Sequence, residues 1–348
     1  MEIVEKITNT HEKVLVASEP ESDYRGIIAV HSTILGPAVG GTRFWFYGSD
    51  DDALADALRL SRGMTYKTAL AGLPLGGGKS IIMGNHKNHN REVVLRAHGR
   101  FINRLKGRYI TAEDVGTSPT DMDVVRLETP YVAGLLGRSG DPSPFTARGV
   151  FRAIQAAAKY VLNADNLSKV TVAIQGCGHV GYSLAKLLHE AGAKLVVSDV
   201  NPESVSRVAA EVGAEVVTPD QILRVSAEVL APCALGGVIN DQTVPELKVQ
   251  IVAGAANNQL LEERHGEMLR HRNILYVPDY LANVGGVLNG CTELLGWAPA
   301  EVTSRIDEIY NTTLAIFESA KAQGIATNKA ADLLAEDRLT RAAASSVH

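Results

Sequence analysis

The sequence predicts a two-domain α/β protein: an N-terminal α/β domain followed by a doubly wound parallel sheet. Three observations predict it. At 348 residues the chain is long for one domain and comfortable for two. From Val170 onward, short apolar runs alternate with helical patterns at strand–helix–strand spacing, which argues for a parallel sheet covered on both faces. Between the halves, GRSGDPSPF at 137–145 has the Gly, Ser and Pro content of a hinge.

In the first half, Val14–Ala17 and Gly26–His31 read as strands, the second rich in β-branched residues. A helix is expected from Asp50, where Asp50, Asp51 and Asp52 supply a cap and an acidic first turn. A second helix is expected over Glu92–Leu105. RYITAED at 108–114 reads as a short strand ending in two carboxylates. In the second half a helix over Gly149–Val161 leads to a strand at Val170–Gln175. After GCGHVG come the helix YSLAKLLHEAG and the strand KLVVSD. Further strands are expected in EVV at 215–217, EVLAPCA at 228–234, VQIVAGAANN at 249–258 and ILYVPD at 274–279. Ser304–Ala342 reads as helical.

Composition narrows the function. The chain is 45% hydrophobic and 21% charged, with a formal net charge of −5, a balance that gives no reason to expect nucleic acid or an anionic membrane as partner. The first residues, MEIVEKITNTHEK, are charged from position 2 and do not read as a signal peptide. The longest uncharged run, Gly26–Thr42, falls short of the ~20 apolar residues that span a bilayer. Cys177, Cys233 and Cys291 are few, odd in number and widely spaced, so neither a disulfide framework nor a metal site is expected, and the reading is of buried free thiols in the cytoplasm.

Two glycine-rich stretches carry chemistry. GLPLGGGKS at 72–80 is close to a phosphate-binding loop, but the strict spacing puts the first glycine at position 73, where Leu73 stands. The preceding stretch also reads as helix rather than as the required strand. The bland alternative is a glycine-rich turn with a surface lysine. GCGHVG is different, because Gly176, Gly178 and Gly181 follow an apolar strand and open an apolar helix. Asp199 ends the next strand at roughly the expected 20 residues. Gly176 makes the turn, Gly178 lets the backbone approach a pyrophosphate at the helix N-terminus, and Gly181 lets helix and strand pack. Cys177, His179 and Val180 complete the loop. This is a Rossmann-type dinucleotide site. A carboxylate at Asp199 repels a 2′-phosphate, so NAD is expected over NADP. The next residues, VNPES, supply no arginine for a 2′-phosphate, although Arg207 lies further on.

A hydride-transfer enzyme needs a substrate anchor and a proton-transfer group. Lys67, Lys79 and Asp114 are the candidates in the first half. A lysine can hold a carboxylate, or act as acid/base when burial and a neighbouring cation lower its pKa. If Lys67 and Lys79 lie close together, each depresses the other. Seven ordered stretches, GGTRFW, LRLSRGMTYK, GLPLGGGKS, RYITAEDVGT, APCALGG, GAANNQL and PDYLANVGGV, then make the chain resemble the glutamate/leucine/phenylalanine/valine dehydrogenases, the leucine branch most of all. The resemblance covers about residues 10–340.

What the resemblance implies is specific. Lys67 binds the substrate α-carboxylate, with Gly40 and Met64 beside it. Lys79 activates the water that attacks an imino acid. Asp114 exchanges protons with the amino group. Thr146, Asn257 and Asn258 contact the nicotinamide carboxamide and the substrate carboxylate. The implied reaction is reversible NAD-dependent oxidative deamination of an L-amino acid to a 2-oxo acid and ammonium. The implied architecture is a substrate-binding and oligomerisation domain, residues 1–136 with about 318–348 folding back onto it, and an NAD-binding domain at 137–317. A cleft between the domains closes on substrate. A homo-oligomer is implied, an octamer or smaller because the C-terminal RLTRAAASSVH is short for the family.

The same resemblance sets an expectation for the substrate. In the glutamate branch a lysine and a serine that bind a side-chain carboxylate stand where this chain has Val39 and Gly290. An apolar side chain is therefore expected, against Val39, Ala112, Val287 and Gly290. Leucine dehydrogenases typically carry Leu and Val at positions 39 and 290, so both departures remove volume. Leucine and branched-chain substrates are favoured, with phenylalanine or another aromatic amino acid as the alternative. Val284 replaces the usual Ala, and nothing in the sequence explains it. Other classes fit less well. A 2-hydroxy-acid dehydrogenase needs a histidine beside a carboxylate, and His179, inside the glycine loop, is expected to face solvent. A non-enzymatic NAD sensor needs Gly176, Gly178 and Asp199 but has no use for Lys67, Lys79 and Asp114 together.

Overall fold

The chain forms two sheets, each with its own helices. The structure, a computed structural model, describes residues 1–87, 90–138 and 140–345. Contact density divides it into two compact units: Met1–Gly140 with Glu293–Gly296 and Ala335–His348, and Asp141–Thr292 with Trp297–Leu334.

The first unit contains β1 (Glu2–Glu5), β2 (Lys13–Glu19), β3 (Tyr24–Ser32), β4 (Ala38–Trp45), α1 (Asp50–Leu70), β5 (Gly76–Met83), α2 (Arg91–Asn103), β6 (Tyr109–Glu113) and α3 (Pro119–Arg126). Its sheet runs β1-β2-β3-β5-β4-β6. The first three pairings along that order are antiparallel, whereas β4 is parallel to both β5 and β6. The cap of α1 is Ser49, whose hydroxyl accepts the Asp52 N–H. The three aspartates expected to supply the cap instead form the first turn, where the helix dipole favours them.

Beside β1, two of these strands, β4 and β5, were not legible as strands. GGTRFW lies in β4, and GGGKS opens β5 rather than a turn. Glycine is normally depleted in strands. Here space demands it, since none of Gly40, Gly41, Gly76, Gly77 and Gly78 has positive φ. A methyl group at Gly40 would overlap the carbonyl oxygen of Gly78, and one at Gly77 would overlap the backbone of Thr65 in α1. The glycines let α1 and the neighbouring strands approach closely.

The second unit opens with α4 (Ser143–Leu162), which starts six residues before the expected Gly149. Part of the 137–145 hinge is therefore its first turn, where Pro144 is tolerated. Residue 139 of that stretch lies outside the described residues. Then follow β7 (Thr171–Gln175), α5 (His179–Glu190), β8 (Lys194–Ser198), α6 (Pro202–Val212), β9 (Glu215–Val216), β10 (Val229–Pro232), β11 (Ile251–Val252), α7 (Arg264–His271), β12 (Leu275–Tyr276) and α8 (Asp279–Ala282). The sheet order is β12-β11-β10-β7-β8-β9, all parallel, which is the doubly wound dinucleotide-binding order with its switch point between β7 and β10.

The C-terminal segment is not one helix. It comprises α9 (Gly285–Leu294), α10 (Pro299–Asp307), α11 (Ile309–Gln323) and α12 (Thr327–Ser345), with Gly324 in the left-handed region ending α11. Phe317 of α11 packs on Tyr160 of α4, so the chain returns to the first unit at Ala335, later than the expected 318. There Arg338 Nη1 donates to the carbonyls of Ala69 and Leu70 at 2.7 and 2.6 Å, satisfying the open end of α1. Among the described residues no helix is long and apolar enough to cross a membrane.

Gly77→Ala tests whether space dictates these glycines. The added methyl forces α1 off β5, and the urea midpoint of unfolding is expected to fall by the equivalent of about 1–3 kcal/mol. An unchanged midpoint would show that α1 can move away at no cost.

Candidate active site

The first unit brings Lys79 and Asp114 into direct contact. Lys79 lies in β5, opposite Ala29 of β3, and Asp114 follows the last residue of β6. Lys79 Nζ donates to Asp114 Oδ2 at 2.6 Å, with 7% of the lysine side chain and 23% of the carboxylate side chain exposed. Gly41 makes room for this carboxylate, because a methyl group there would lie 2.7 Å from the Asp114 Cβ. The backbone behind Asp114 is tied down as well. Its N–H donates to Thr117 Oγ1 at 2.9 Å, and that hydroxyl donates to the Thr42 carbonyl at 2.9 Å.

Sequence reasoning missed two residues here. Arg43 of β4 donates from Nε to Asp114 Oδ2 at 3.1 Å and from Nη1 to Asp56 Oδ2 at 2.8 Å. Asp56, on α1, also accepts from Tyr47 Oη at 2.8 Å and from Arg59 at 2.7 Å. The available signals were the arginine inside GGTRFW and an aspartate in the middle of a helix, where carboxylates need a partner to be half-buried.

The electrostatics follow from burial first. Burial pushes the Lys79 ammonium below the usual lysine range, and Arg43 pushes the same way, against the pull of Asp114. Burial alone would raise Asp114. Lys79, Arg43 and the Val115 N–H outweigh it and hold the carboxyl below the usual range. A lysine whose charged form is disfavoured by burial thus sits beside a carboxylate whose charged form is favoured by its neighbours. The cation helping to depress Lys79 is Arg43, where sequence reasoning looked to Lys67.

Behind β5 lies a buried hydrogen-bonded set. Thr42 Oγ1 bonds Ser80 Oγ at 2.8 Å and Thr111 Oγ1 at 2.6 Å, His98 Nε2 reaches Ser80 Oγ at 3.1 Å, and Tyr24 Oη meets His98 Nδ1 at 2.7 Å. Burial pushes His98 down to about 3, so it remains neutral and serves as a hydrogen-bonding wedge rather than a charge.

Lys67 and Met64 lie half-buried near the C-terminal end of α1. That end is held by His31 Nδ1 at 2.8 Å from Thr65 Oγ1, by Tyr66 Oη donating to Glu336 at 2.8 Å, and by Arg338. Val39 and Gly40 are buried in β4, and Ala112 is half-buried in β6.

In the second unit the glycine loop has the expected shape. Gly176 has φ +105°, which a side chain would resist, and a methyl group at Gly181 would overlap the Gly176 carbonyl. Gly178 caps α5, and no atom lies within 4 Å of where its Cβ would be, leaving room beside the helix N-terminus. Asp199 is fixed by two backbone donors, Cys177 N–H at 2.6 Å to Oδ2 and Asn201 N–H at 2.8 Å to Oδ1. Burial raises the Cys177 thiol to about 11, which keeps it protonated and unreactive. Cys233 is half-buried rather than buried, unlike Cys177 and Cys291. His179 faces solvent with its side chain 81% exposed. Val180 opens α5 behind it.

Thr146 donates to the Pro142 carbonyl at 3.0 Å in the first turn of α4, next to Gly286 of α9. Asn257 Oδ1 accepts from Asn283 at 2.7 Å, and Asn258 adopts positive φ. Val287 and Gly290 sit three residues apart on α9, and around Gly290 a Cβ would meet open space. Val284 is buried at the start of that helix, and nothing in the structure explains its departure from Ala.

Among the described residues one group has metal-ligand spacing, Asp241, Glu262 and His265, within 4.8 Å of one another. His265 Nδ1 lies 2.9 Å from the Glu262 N and 3.0 Å from the Glu262 carbonyl oxygen. Arg264 already spans both carboxylates, at 2.6 Å to Asp241 and 2.9 Å to Glu262. A guanidinium occupies the cation's place.

Residues 5–131 match the family model described as Glu/Leu/Phe/Val dehydrogenase, dimerisation domain, and residues 137–206 and 197–346 match that described as Glutamate/Leucine/Phenylalanine/Valine dehydrogenase. The chain is 51% identical over 335 residues to the leucine dehydrogenase of Geobacillus stearothermophilus, covering 95% of this chain and 91% of that one. It is 46% identical over 331 residues to an L-tryptophan dehydrogenase of Nostoc punctiforme, covering 95% and 94%. The crystal structure of L-tryptophan dehydrogenase from Nostoc punctiforme superposes with a TM-score of 0.87 at 45% identity, covering 96% of each chain.

Proposed function

The chain belongs to the glutamate/leucine/phenylalanine/valine dehydrogenase family and is an amino-acid dehydrogenase, and on that premise we propose that it carries out reversible NAD-dependent oxidative deamination of an apolar L-amino acid, leucine and its branched-chain relatives first. The observation that carries this reading is the pair of Lys79 and Asp114, a lysine of lowered pKa 2.6 Å from an ionised carboxylate.

The residues divide the work. Lys67, with Gly40 and Met64 beside it, holds the substrate α-carboxylate. Asp114 takes a proton from the substrate ammonium, so that the amine lone pair can assist loss of the α-hydrogen. The chemistry NAD would supply when bound is that of the hydride acceptor for this hydrogen. Lys79, neutral, then takes a proton from the water that attacks the imine carbon, and returns protons as the C–N bond breaks. The products are a 2-oxo acid and ammonium, with one proton released. Asn257, Asn258 and Thr146 orient the carboxylate and the carboxamide.

The dinucleotide fits the second unit: Gly178 leaves room for a pyrophosphate at the N-terminus of α5, while Gly176 makes the turn and Gly181 lets helix and loop pack closely. Asp199 supports NAD rather than NADP. Its two backbone donors leave lone pairs for ribose hydroxyls, and its charge repels a 2′-phosphate. Arg207, the nearest cation downstream, lies over the Tyr182 ring at 4.4 Å. Val39 and Gly290 supply no partner for a side-chain carboxylate, which excludes glutamate as the preferred substrate. The open space at Gly290 favours a second reading, a larger aromatic substrate. We place the enzyme in the cytoplasm as a homo-oligomer, an octamer or smaller.

Initial rates of reduced-cofactor formation at alkaline pH test this, with Leu, Ile, Val, Met, Phe, Trp and Glu, and with NAD and NADP. The highest kcat/KM is expected on Leu, Ile or Val with NAD. A maximum on Phe or Trp would overturn the branched-chain assignment, and no activity on any of them would return the chain to an NAD-sensing role. Lys79→Ala and Asp114→Asn are expected to lose turnover by more than about a hundredfold while NAD still binds, since general acid–base groups contribute roughly that much or more. Full activity in either variant refutes the assigned chemistry. Lys67→Ala is expected to raise KM for the amino acid, and an unchanged KM would remove its anchoring role.

A further inference from the structure

Asp114 is held through one oxygen only by both of its cations. Lys79 Nζ and Arg43 Nε both donate to Oδ2, at 2.6 and 3.1 Å. A carboxylate oxygen offers about two lone-pair sites, so Oδ2 is filled. At Oδ1 neither cation competes for a proton. Arg43 is itself held from the other side, through Nη1 at 2.8 Å, by Asp56, which Tyr47 and Arg59 fix in turn. One planar guanidinium thus spans two carboxylates, one at the end of β6 and one on α1.

We propose that Arg43 is the positioning residue of the catalytic pair: it clamps the Asp114 carboxylate through Oδ2 against Asp56, and Oδ1 is the oxygen that exchanges protons with the substrate. This rests on the assignment of Lys79 and Asp114 as the catalytic groups. The clamp has two separable parts. Its charge is one of the influences that depress Lys79, and its fork geometry fixes the rotation of Asp114. The charged and titratable groups around it are Lys79 on β5, Asp114 after β6, Asp56 and Arg59 on α1, and Tyr47 after β4. A lysine in place of Arg43 supplies a point charge without the fork.

Arg43→Gln and Arg43→Lys separate the two parts. In R43Q the alkaline-rising limb of the kcat/KM–pH profile is expected to move to higher pH, because Lys79 loses a repelling cation, and kcat at near-neutral pH is expected to fall roughly ten- to a hundredfold. In R43K the limb is expected to stay near its original position while kcat remains at least about tenfold low, since an ammonium on a flexible stem does not fix the rotation of Asp114 as the planar fork does. Either an R43Q enzyme with native kcat and an unmoved limb, or an R43K enzyme with native kcat, overturns the proposal. If both variants lose only thermal stability, with kcat and limb unchanged per folded enzyme, Arg43 is structural and the proposal fails. Should R43Q not fold, R43K alone decides. Lys79→Ala and Asp114→Asn run in the same assay keep the two levels apart. If they abolish turnover while the Arg43 variants behave as native, only the clamp is wrong. If they retain turnover, the catalytic assignment itself is wrong.

Discussion

The backbone of β4 approaches that of β5 more closely than any side chain permits. A methyl group at Gly40 would overlap the Gly78 carbonyl, and Gly76 and Gly77 are equally confined against Ser32 and Thr65. What the chain needs next to these strands follows directly after the glycines. Lys79 comes one residue after Gly78, and Arg43 two residues after Gly41. Closely packed strands cannot slide without carrying their side chains with them, so the 2.6 Å contact of Lys79 with Asp114 inherits its position from backbone sterics rather than from flexible side-chain choice. Gly41 completes the arrangement by leaving the Asp114 Cβ its space.

That rigidity has an electrostatic use. Placing a lysine in a nearly dry position disfavours its charge, and a carboxylate alongside would normally restore it. Here Arg43 and Asp56 complete a chain of alternating charge, Lys79–Asp114–Arg43–Asp56. The second cation divides the attraction of Asp114 between two donors and repels Lys79. The outcome is a lysine that deprotonates more readily than a free one beside a carboxylate that remains charged. An isolated buried pair would instead hold its protons tightly, and removing one partner from such a pair typically costs about 3–5 kcal/mol.

Much of the fold was legible because it rests on local signals. The short apolar runs and helical patterns of the second half marked the doubly wound sheet, and the strand, the GCGHVG turn and Asp199 marked the candidate dinucleotide loop with its acidic partner. What was not legible has a common physical origin. β4 and β5 are strands despite glycines that propensity counts against them, because the reason for those glycines is a neighbour distant in sequence. α4 begins within the Pro- and Ser-rich stretch, since proline is acceptable in a first helical turn. Asp56 and Arg43 reveal their importance only when α1 is laid on the sheet. Arg338 binds carbonyls 268 and 269 residues earlier, and no pattern within α12 announces it. Lys79 and Asp114 were identified from ordered motifs. Their contact, and the source of the lysine's altered proton affinity, required the structure.

Gly290 poses the remaining question of specificity, and stability sharpens it. The residue lies inside α9, where glycine costs about 1 kcal/mol relative to alanine. At other helical glycines such as Gly149, Gly181 and Gly266 such a cost has a visible reason, a neighbour too close for a methyl group, although Gly63 of α1 has none. At Gly290 there is none either, since its φ is not in the left-handed region and no atom stands within 4 Å of the would-be Cβ. Folding alone would therefore favour alanine or a larger residue there. Val39 differs, being buried in β4 among strands fixed by glycine contacts, where a one-methylene change shifts discrimination by only about 1–3 kcal/mol. Of the two positions, Gly290 is the one at which the chain accepts a folding penalty with no structural return.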